Sequence, residues 1–290
     1  MSPNEDGTGL SPIEAFSIVG NDIRAEILLA LVERGSNTAT FSELRNAVDV
    51  TDSGQFNYHL ERLVDHFVER TEEGYGLTEA GRRISYALLS GTYTERPQIE
   101  TTNVPGTCYA CGSDALCGRY DETLEIECDD CGERILAVPF PPAAAANRSP
   151  VEVFRAFDRW SDRQAALVTD RICPECAGKL SATVTADVPP SLGFDRVPRF
   201  ECSICTYTTC VTFGTVALHA DDVRPVVHRC GWERDDVYWS VDHRVTDEHT
   251  SVASEEPLRV RETFDLPGGT VVVTFDERVE IVDVDTNPAN

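Results

Sequence analysis

Four CxxC pairs constrain this chain more than any other feature of its 290 residues. The first two pairs are separated by 16 residues and consist of Cys108, Cys111, Cys128 and Cys131. Each pair can form a tight knuckle, and a hairpin between two knuckles brings four thiolates into the tetrahedron that zinc prefers. Gly112 and Gly132 follow the two pairs, where the backbone must turn. The spacing therefore predicts a zinc site; the alternative is a degenerated ribbon with reduced, unliganded thiols.

The other two CxxC pairs repeat this pattern around an insert of 25 residues and consist of Cys173, Cys176, Cys202 and Cys205. We expect each array to close on itself, although pairing between the two arrays would also supply four ligands to each ion. Four thiolates fill a tetrahedral ion and leave no position for a substrate or water. We therefore expect two structural zinc ions, each of which contributes folding free energy to a domain with a small core.

Three of the eleven cysteines, Cys117, Cys210 and Cys230, fall outside these arrays. A free cysteine most often behaves as a small buried hydrophobic side chain; the alternative is a redox or metal-sensing role. Because the chain begins without a secretory signal pattern, the cysteines indicate metal binding rather than disulfides.

A second organising feature is the stretch TDSGQFNYHLERLVDHFVER at residues 51–70. Asp52 or Ser53 is a helix N-cap residue type. The apolar side chains recur at helical spacing and form a stripe made of Phe56, Leu60, Leu63, Val64 and Phe67. Polar residues occupy the opposite face, so the stretch predicts a helix that packs with one face and presents the other to solvent or to a ligand.

The elements around this helix define a domain over residues 11–92. Two capping boxes, Ser11–Glu14 and Thr40–Glu43, open helices before it. A short hairpin with Glu73-Gly74 as its turn follows, and Thr78 caps a last helix. The order of elements is therefore several helices, the helix at 51–70, a hairpin and a last helix. This order predicts a winged helix-turn-helix, in which the helix at 51–70 would be the reading helix that contacts DNA.

The segment DSGQFNYHLERLV followed by GYGLTEAGRRI resembles ArsR-type winged-helix regulators of halophilic archaea. The resemblance covers residues 11–92 and implies a homodimer that binds a two-fold site in double-stranded DNA. Ile84, Ala87 and Leu88 of the last helix are then candidate dimer contacts.

In such folds the first half of the reading helix enters the major groove. The candidates for contacts with bases or phosphates are Ser53, Gln55, Asn57 and Tyr58, and the candidates for phosphate contacts are Arg62, Arg70, Arg82 and Arg83. Glutamine and asparagine can each bond adenine through two atoms. The alternative for every one of these residues is plain solvent exposure. The acidic wing tip, Glu72-Glu73, disfavours deep entry of the wing into the minor groove.

We expect an α+β protein: a mostly helical winged helix-turn-helix with a β-hairpin wing, followed by a β-rich domain that contains zinc ribbons. The expected segments are a flexible arm (1–10), the winged domain (11–92), a Pro/Thr-rich linker (93–107), the C-terminal domain (108–284) and a tail (285–290). The C-terminal domain is expected to contain ribbons at 108–140 and 173–213, a helix at about 150–170 and terminal strands.

The charge balance is strongly acidic, with 50 Asp and Glu against 25 Lys and Arg and a net charge of −25. Lys179 is the only lysine. Because apolar periodicity is present throughout, we attribute the acidity to a folded protein in a high-salt cytoplasm, where screening weakens carboxylate repulsion. This balance resembles that of proteins from halophilic archaea. No apolar run reaches the roughly 18 residues of a membrane span, so we expect a cytoplasmic protein.

These features together favour a sequence-specific transcriptional regulator whose C-terminal domain senses a signal, dimerises or contacts the transcription machinery. A basal factor resembling archaeal transcription factor E, which also joins a winged helix to a zinc ribbon, is one alternative. A protein-interaction module that does not bind DNA is another, because residues 1–95 carry 16 acidic residues and 7 arginines, a balance of −9. An enzyme is not expected, because the sequence lacks HExxH, deaminase-type, phosphate-loop and nucleophile-elbow motifs.

Overall fold

The computed structural model describes residues 10–34, 38–188, 193–233 and 237–289. The fold is α+β, as expected, with helices concentrated near the N-terminus and sheets dominating the remainder. The chain divides into two compact units, residues 1–95 and residues 96–290. The expected flexible arm lies almost entirely outside the described residues. Within the described ranges, no helix has the length and apolar character needed to cross a membrane.

The first unit is built from five helices in its described part. They are α1 (Pro12–Val19), α2 (Asp22–Val32), α3 (Phe41–Ala47), α4 (Ser53–Leu63) and α5 (Glu79–Leu89). The capping boxes predicted at Ser11 and Thr40 are both formed. Asp52 rather than Ser53 caps α4, because its carboxylate accepts hydrogen bonds from the first-turn amides. Local sequence therefore defines the starts of these helices.

Three short strands complete the winged helix-turn-helix. They are β1 (Thr38–Ala39), β2 (Val68–Thr71) and β3 (Gly74–Leu77), in the order β1-β3-β2. Thr71 pairs with Gly74, so the turn is Glu72-Glu73 and not Glu73-Gly74 as the sequence indicated. Gly74 pairs within the strand at φ 138°, where only a glycine is unstrained and where a Cβ would overlap the Ala39 carbonyl oxygen.

The buried stripe predicted for residues 51–70 is confirmed. Its five residues, Phe56, Leu60, Leu63, Val64 and Phe67, are all buried and join one core with Ile27, Leu28 and Leu31 of α2. Gly81 lets α5 approach this core closely, since a Cβ there would overlap the Phe67 carbonyl oxygen. The packing fixes α4 so that its other face points away from the core.

The second unit opens with a four-stranded antiparallel sheet, formed by β4 (Gln98–Asn103), β5 (Leu116–Asp121), β6 (Thr123–Cys128) and β7 (Arg134–Pro139) in sequential order. Strand β4 lies inside the segment 93–107 that was expected to be a linker, so that expectation is corrected. The backbone of β4 pairs with β5, but most of its side chains are exposed at the sheet edge. An edge strand of this kind need not show apolar alternation, and the sequence pattern missed it.

A 3-10 helix (Pro142–Ala145) leads into the long helix α6 (Pro150–Thr169), which confirms the helix predicted at about 150–170. The second array is built on a three-stranded sheet, β8 (Leu180–Thr185), β9 (Val197–Cys202) and β10 (Thr208–Cys210), with β9 in the middle. The described part of the 25-residue insert thus forms β8 and β9, which run antiparallel.

Short helices and a four-stranded meander finish the unit. They are α7 (Phe213–His219), α8 (Arg224–Arg229), a 3-10 helix (Tyr238–Ser240), α9 (Asp242–Val245), β11 (Thr250–Glu255), β12 (Leu258–Leu266), β13 (Gly269–Phe275) and β14 (Ile281–Pro288). Strand β14 continues through most of the expected tail, because 285–288 pair with 269–272 of β13. The expected tail is therefore corrected to part of the sheet.

Helix α6 contributes to both cores of the second unit. Val153, Phe154 and Phe157 pack with the first sheet and Trp239, whereas Val168 belongs to the core of the second and third sheets. A helix of 20 residues is long enough, at about 30 Å, to reach both cores. The two CxxC arrays therefore lie in one compact unit rather than in two separate domains.

Candidate metal centres and nucleic-acid interface

The first CxxC array converges at one end of the first sheet. The Sγ atoms of Cys108 and Cys131 lie 3.7 Å apart, and those of Cys111 and Cys128 lie 3.6 Å apart. All four Sγ atoms fall within 4.8 Å of one another. The hairpin of β5 and β6 joins the two knuckles, as the spacing predicted. The four thiols could hold one metal ion.

The backbone of each knuckle in this array turns back on itself through hydrogen bonds. The amide of Gly112 donates to the Cys108 carbonyl oxygen, and that of Gly132 donates to the Cys128 carbonyl oxygen, both at 2.8 Å. Both glycines have left-handed φ angles, 73° and 75°. Glycine adopts this conformation without strain, so the knuckles use the two glycines as the sequence indicated.

The second array forms the same arrangement with its own members. The Sγ atoms of Cys173 and Cys205 and those of Cys176 and Cys202 are each 3.6 Å apart. These four atoms also fall within 4.8 Å of one another. Each array therefore pairs sequentially, and the alternative of pairing between arrays does not occur. In both arrays the first cysteine of each pair is buried and the second is exposed.

Glycine is absent from the turn positions of the second array. Ala177 and Thr206 occupy them with φ angles of 58° and 59°. Their amides donate to the carbonyl oxygens of Cys173 and Cys202, at 2.8 and 3.1 Å. A left-handed conformation costs a non-glycine residue roughly 1–2 kcal/mol. The second array therefore has the same knuckle geometry as the first, although the left-handed conformation of Ala177 and Thr206 costs conformational free energy.

Backbone amides also point at sulfur, as expected for a thiolate ligand. The amides of Gly178 and Ile204 lie 3.4 Å from the Sγ atoms of Cys176 and Cys202, respectively. Hydrogen bonds from the backbone of Cys205 and Ile204 lower the pKa of Cys202 to about 7, whereas the neighbouring Cys205 thiol and burial outweigh the Gly178 amide and raise the pKa of Cys176 to about 12. Such donors stabilise the ionised form, which is the form that binds metal.

The three remaining cysteines lie outside both centres. Cys117 is buried and its thiol donates to Asp129 at 2.7 Å, and this contact raises the pKa of Cys117 to about 11. Cys210 and Cys230 are half-buried. Cys117 therefore pairs with Asp129 and belongs to neither four-cysteine cluster.

The polar face predicted for the reading helix is exposed. Ser53, Gln55, Asn57 and Tyr58 of α4 are all solvent-accessible, and Tyr58 is 59% exposed. They lie in the N-terminal half of α4. The structure thus leaves all four candidates accessible to a ligand in the first half of α4.

The four candidate arginines differ in their availability. Arg62 is exposed, and among the described residues no carboxylate lies within ion-pair distance of it. Arg70 contacts Glu61 at 2.6 Å, whereas Arg82 and Arg83 contact Glu79 at 3.2 and 3.1 Å. Those three guanidinium groups already have acidic partners, so a phosphate would have to compete for them.

An apolar groove lies between helices of the first unit. It is lined by residues of α1, the start of α2 and α5, including Phe16, Val19, Ile84, Ala87 and Leu88, and has a volume of about 440 Å³. The Phe16 side chain is 75% exposed. The three predicted dimer candidates of α5 all line this groove.

Sequence reasoning missed a third cluster of metal-binding residue types. Asp242, His243 and His249 place one ligand atom each within 4.8 Å of the others. Two of these residues lie on α9 and the third lies just before β11, in a segment without a recognisable motif. The sequence signal was limited to two histidines and an aspartate within eight positions, which is too common a pattern to single out.

Comparisons with known proteins match both units to family models. Residues 12–88 match a model described as a domain of unknown function (DUF7347), and residues 105–281 match another described as a domain of unknown function (DUF7351). Neither the curated proteins nor the solved structures yielded a match. The second model covers more than half of the chain, and on that ground the chain belongs to the DUF7351 family.

Proposed function

We propose that this protein is a DNA-binding transcriptional regulator and not an enzyme. The observation that carries the proposal is the exposure of Ser53, Gln55, Asn57 and Tyr58 in the first half of α4, while the apolar stripe of the same helix is buried. Helix α4 follows α3 through a short turn and precedes a β-hairpin, which is the setting of a recognition helix. Side chains with amide groups at this position can form paired hydrogen bonds with adenine.

Few positive charges support this interface. The net charge of residues 1–95 is −9, and three of the four candidate arginines already have carboxylate partners. Specific contacts in the groove, together with Arg62, would therefore contribute more than a general attraction to phosphates. In a high-salt cytoplasm, where charge attraction is screened, this distribution is still compatible with DNA binding.

The protein would act as a homodimer that binds a two-fold DNA site. Ile84, Ala87 and Leu88 line an apolar groove next to the exposed Phe16 of α1. A second copy would cover these side chains. Leu88→Glu should then give a monomer in sedimentation equilibrium in molar KCl, whereas Glu100→Gln, an exposed position in β4, should leave the dimer intact.

Zinc is the ion that suits both cysteine clusters, because four thiolates at this spacing form a closed tetrahedral site. The ions would be structural: they would hold the knuckles together and leave no position for a substrate. The C-terminal unit would then be a stable platform for sensing, dimerisation or contact with the transcription machinery.

The acidity of the first unit favours one competing function, a protein-interaction module that does not bind DNA. A basal factor resembling archaeal transcription factor E would also combine a winged helix with thiolate-bound zinc. Footprinting across genomic fragments in molar KCl separates these functions. The regulator protects a discrete segment, and the basal factor protects none but co-purifies with RNA polymerase. A protein with neither property is the interaction module.

The decisive variant is Gln55→Ala combined with Asn57→Ala, which should abolish protection while the unfolding temperature stays unchanged. Gln98→Ala, an exposed substitution of the same kind on β4, should leave protection intact. Protection that survives the double substitution would contradict the role of α4.

A further inference from the structure

A cluster of two imidazoles and a carboxylate lies between α9 and the start of β11. The Nε2 atom of His249 is 2.8 Å from Oδ2 of Asp242, and the rings of His243 and His249 have centroids 4.2 Å apart. One potential ligand atom from each residue lies within 4.8 Å of the other two. Ligands of one ion lie about 3–3.5 Å apart in a tetrahedral site with metal–nitrogen bonds near 2.1 Å. Small side-chain rotations would therefore bring the three atoms to bonding distance.

The imidazole of His243 is oriented by a hydrogen bond to a buried carboxylate. Its Nδ1 lies 2.6 Å from Oε1 of Glu262, which is 1% exposed. The other oxygen of Glu262 accepts a hydrogen bond from the Thr250 hydroxyl at 2.6 Å. With Nδ1 donating to a carboxylate, Nε2 is the nitrogen with a free lone pair.

This arrangement matches the outer shell of a metal-ligating histidine. Such a histidine almost always donates its second nitrogen to a carboxylate or carbonyl, which fixes the tautomer and makes the ligating nitrogen more basic. The ring of Phe264, with its centroid 4.1 Å from that of His243, restricts the imidazole on one side. His243 is 7% exposed, so the ring is oriented by protein groups rather than by solvent.

We propose that Asp242, His243 and His249 bind a divalent transition-metal ion, with Glu262 as the positioning residue behind His243. Two imidazoles and one carboxylate suit zinc, cobalt, nickel or iron(II) better than magnesium or calcium, which prefer oxygen ligands. Three protein ligands leave at least one position open, unlike the closed four-cysteine clusters. The ion at this site exchanges more readily than the ions in the cysteine clusters.

The segment that joins the ligands in sequence lines a cavity of the second unit, although the three ligands themselves are not among its lining residues. Residues that directly follow His243 in sequence, among them Arg244, Thr246 and Glu248, line a cavity of about 530 Å³. Binding of the ion would fix the 242–249 segment at both ends. This site is independent of the proposed DNA-binding function, because it lies wholly in the second unit.

The test uses the full-length protein, dialysed against EDTA in molar KCl so that weakly held ions are removed and acidic surface residues are screened. The probe is Co²⁺ alone, followed by equilibrium dialysis and visible absorption. We expect one saturable equivalent of Co²⁺ per chain, beyond any zinc retained, with the weak absorption of nitrogen and oxygen ligands and no thiolate charge-transfer band.

The variants His249→Ala and Asp242→Asn should each weaken Co²⁺ binding at least tenfold, and Glu262→Gln should weaken it about 10–100-fold through loss of the positioning contact. His228→Ala, which lies outside the cluster, should bind as the unmodified protein does. Circular dichroism checks that each variant is folded. The His249 and Asp242 variants are the main test, because these side chains are only half-buried and their substitution should leave the fold intact. Absence of a saturable equivalent, a thiolate band, or unchanged binding by folded His249→Ala overturns the proposal.

Discussion

The Sγ atoms of Cys173 and Cys205 lie 3.6 Å apart although the two residues are 32 positions apart in the sequence. The register of β8 and β9 makes this contact possible, because Leu180, close after the first knuckle, pairs with Cys202 of the second. The length of the insert is therefore irrelevant to the centre. What matters is that the two knuckles sit at the same end of one antiparallel pair.

This geometry predicts independent loading of the two centres. Cys131→Ala or Cys176→Ala should each reduce tightly bound zinc, measured by elemental analysis after EDTA dialysis, from about two ions per chain to about one, because each closed site needs all four thiolates. Cys210→Ala, which removes a thiol outside both clusters, should retain two. Two ions in either ligand variant would contradict the assignment.

The ion pair between Arg70 and Glu61 predicts that an acidic residue restrains DNA binding. Glu61→Gln should release the guanidinium and tighten binding a few-fold, in keeping with the roughly 0.2–1 kcal/mol of an exposed ion pair. Fluorescence anisotropy with the protected DNA segment measures the effect. Glu26→Gln on α2 makes the same change in net charge and should alter affinity less; equal effects would show that only net charge matters.

The acidity of the first unit predicts an unusual dependence of DNA affinity on salt. Phosphate contacts ordinarily release counterions, so affinity falls as salt rises. Here the net charge of residues 1–95 is −9, so cations must be taken up between the acidic protein and the DNA. A plot of log affinity against log KCl concentration in the molar range should be shallow or of reversed slope. A steep negative slope would reject this interpretation.

The close approach of α5 to the backbone of Phe67 predicts that Gly81 is intolerant of a side chain. In Gly81→Ala the Cβ would overlap the Phe67 carbonyl oxygen, so the free energy of unfolding should fall by about 1–3 kcal/mol despite the higher helix propensity of alanine. Urea unfolding in molar KCl measures the loss. Ala80→Ser at the neighbouring exposed position should stay within about 0.5 kcal/mol.

The cap of α4 predicts a pH-dependent contribution from Asp52. Amides of Gln55 and Gly54 donate to its carboxylate and lower its pKa in the folded state. The resulting stabilisation is present above the unfolded pKa, near 3.9, and is lost as pH falls through the lower folded pKa. At pH 7 the Asp52→Ala variant should therefore unfold at a lower urea concentration than the unmodified protein. The difference between the two urea midpoints should become smaller at acidic pH. Asp49→Ala removes an exposed carboxylate before the helix and is the matched control for the change in net charge.

Much of the architecture follows from local sequence signals. Capping residues at Ser11 and Thr40 mark helix starts because their side chains accept hydrogen bonds from backbone amides three residues later. The apolar stripe of α4 and the spacing of the CxxC pairs are equally local. These signals act over one or two turns, so a single sequence is sufficient to recognise them.

Other features depended on long-range pairing. The edge strand β4 and the end of β14 expose most of their side chains and are held by backbone hydrogen bonds to neighbouring strands. Backbone donors and acceptors are the same in every residue except proline, which lacks the donor, so the sequence carries little record of such pairing. The left-handed turns at Ala177 and Thr206 could not be predicted from the sequence either, since neither residue type is typical of that conformation.

The sequence by itself determined the helices of the first unit, the exposed polar residues of α4 and the eight cysteines of the two candidate metal centres, because each rests on residue type and short-range spacing. Only the tertiary structure decided that the arrays close separately, that acidic residues pair with Arg70, Arg82 and Arg83, and that Asp242, His243 and His249 meet in front of Glu262. Those relationships arise when packed helices and strands bring distant side chains together, and no local spacing encodes them.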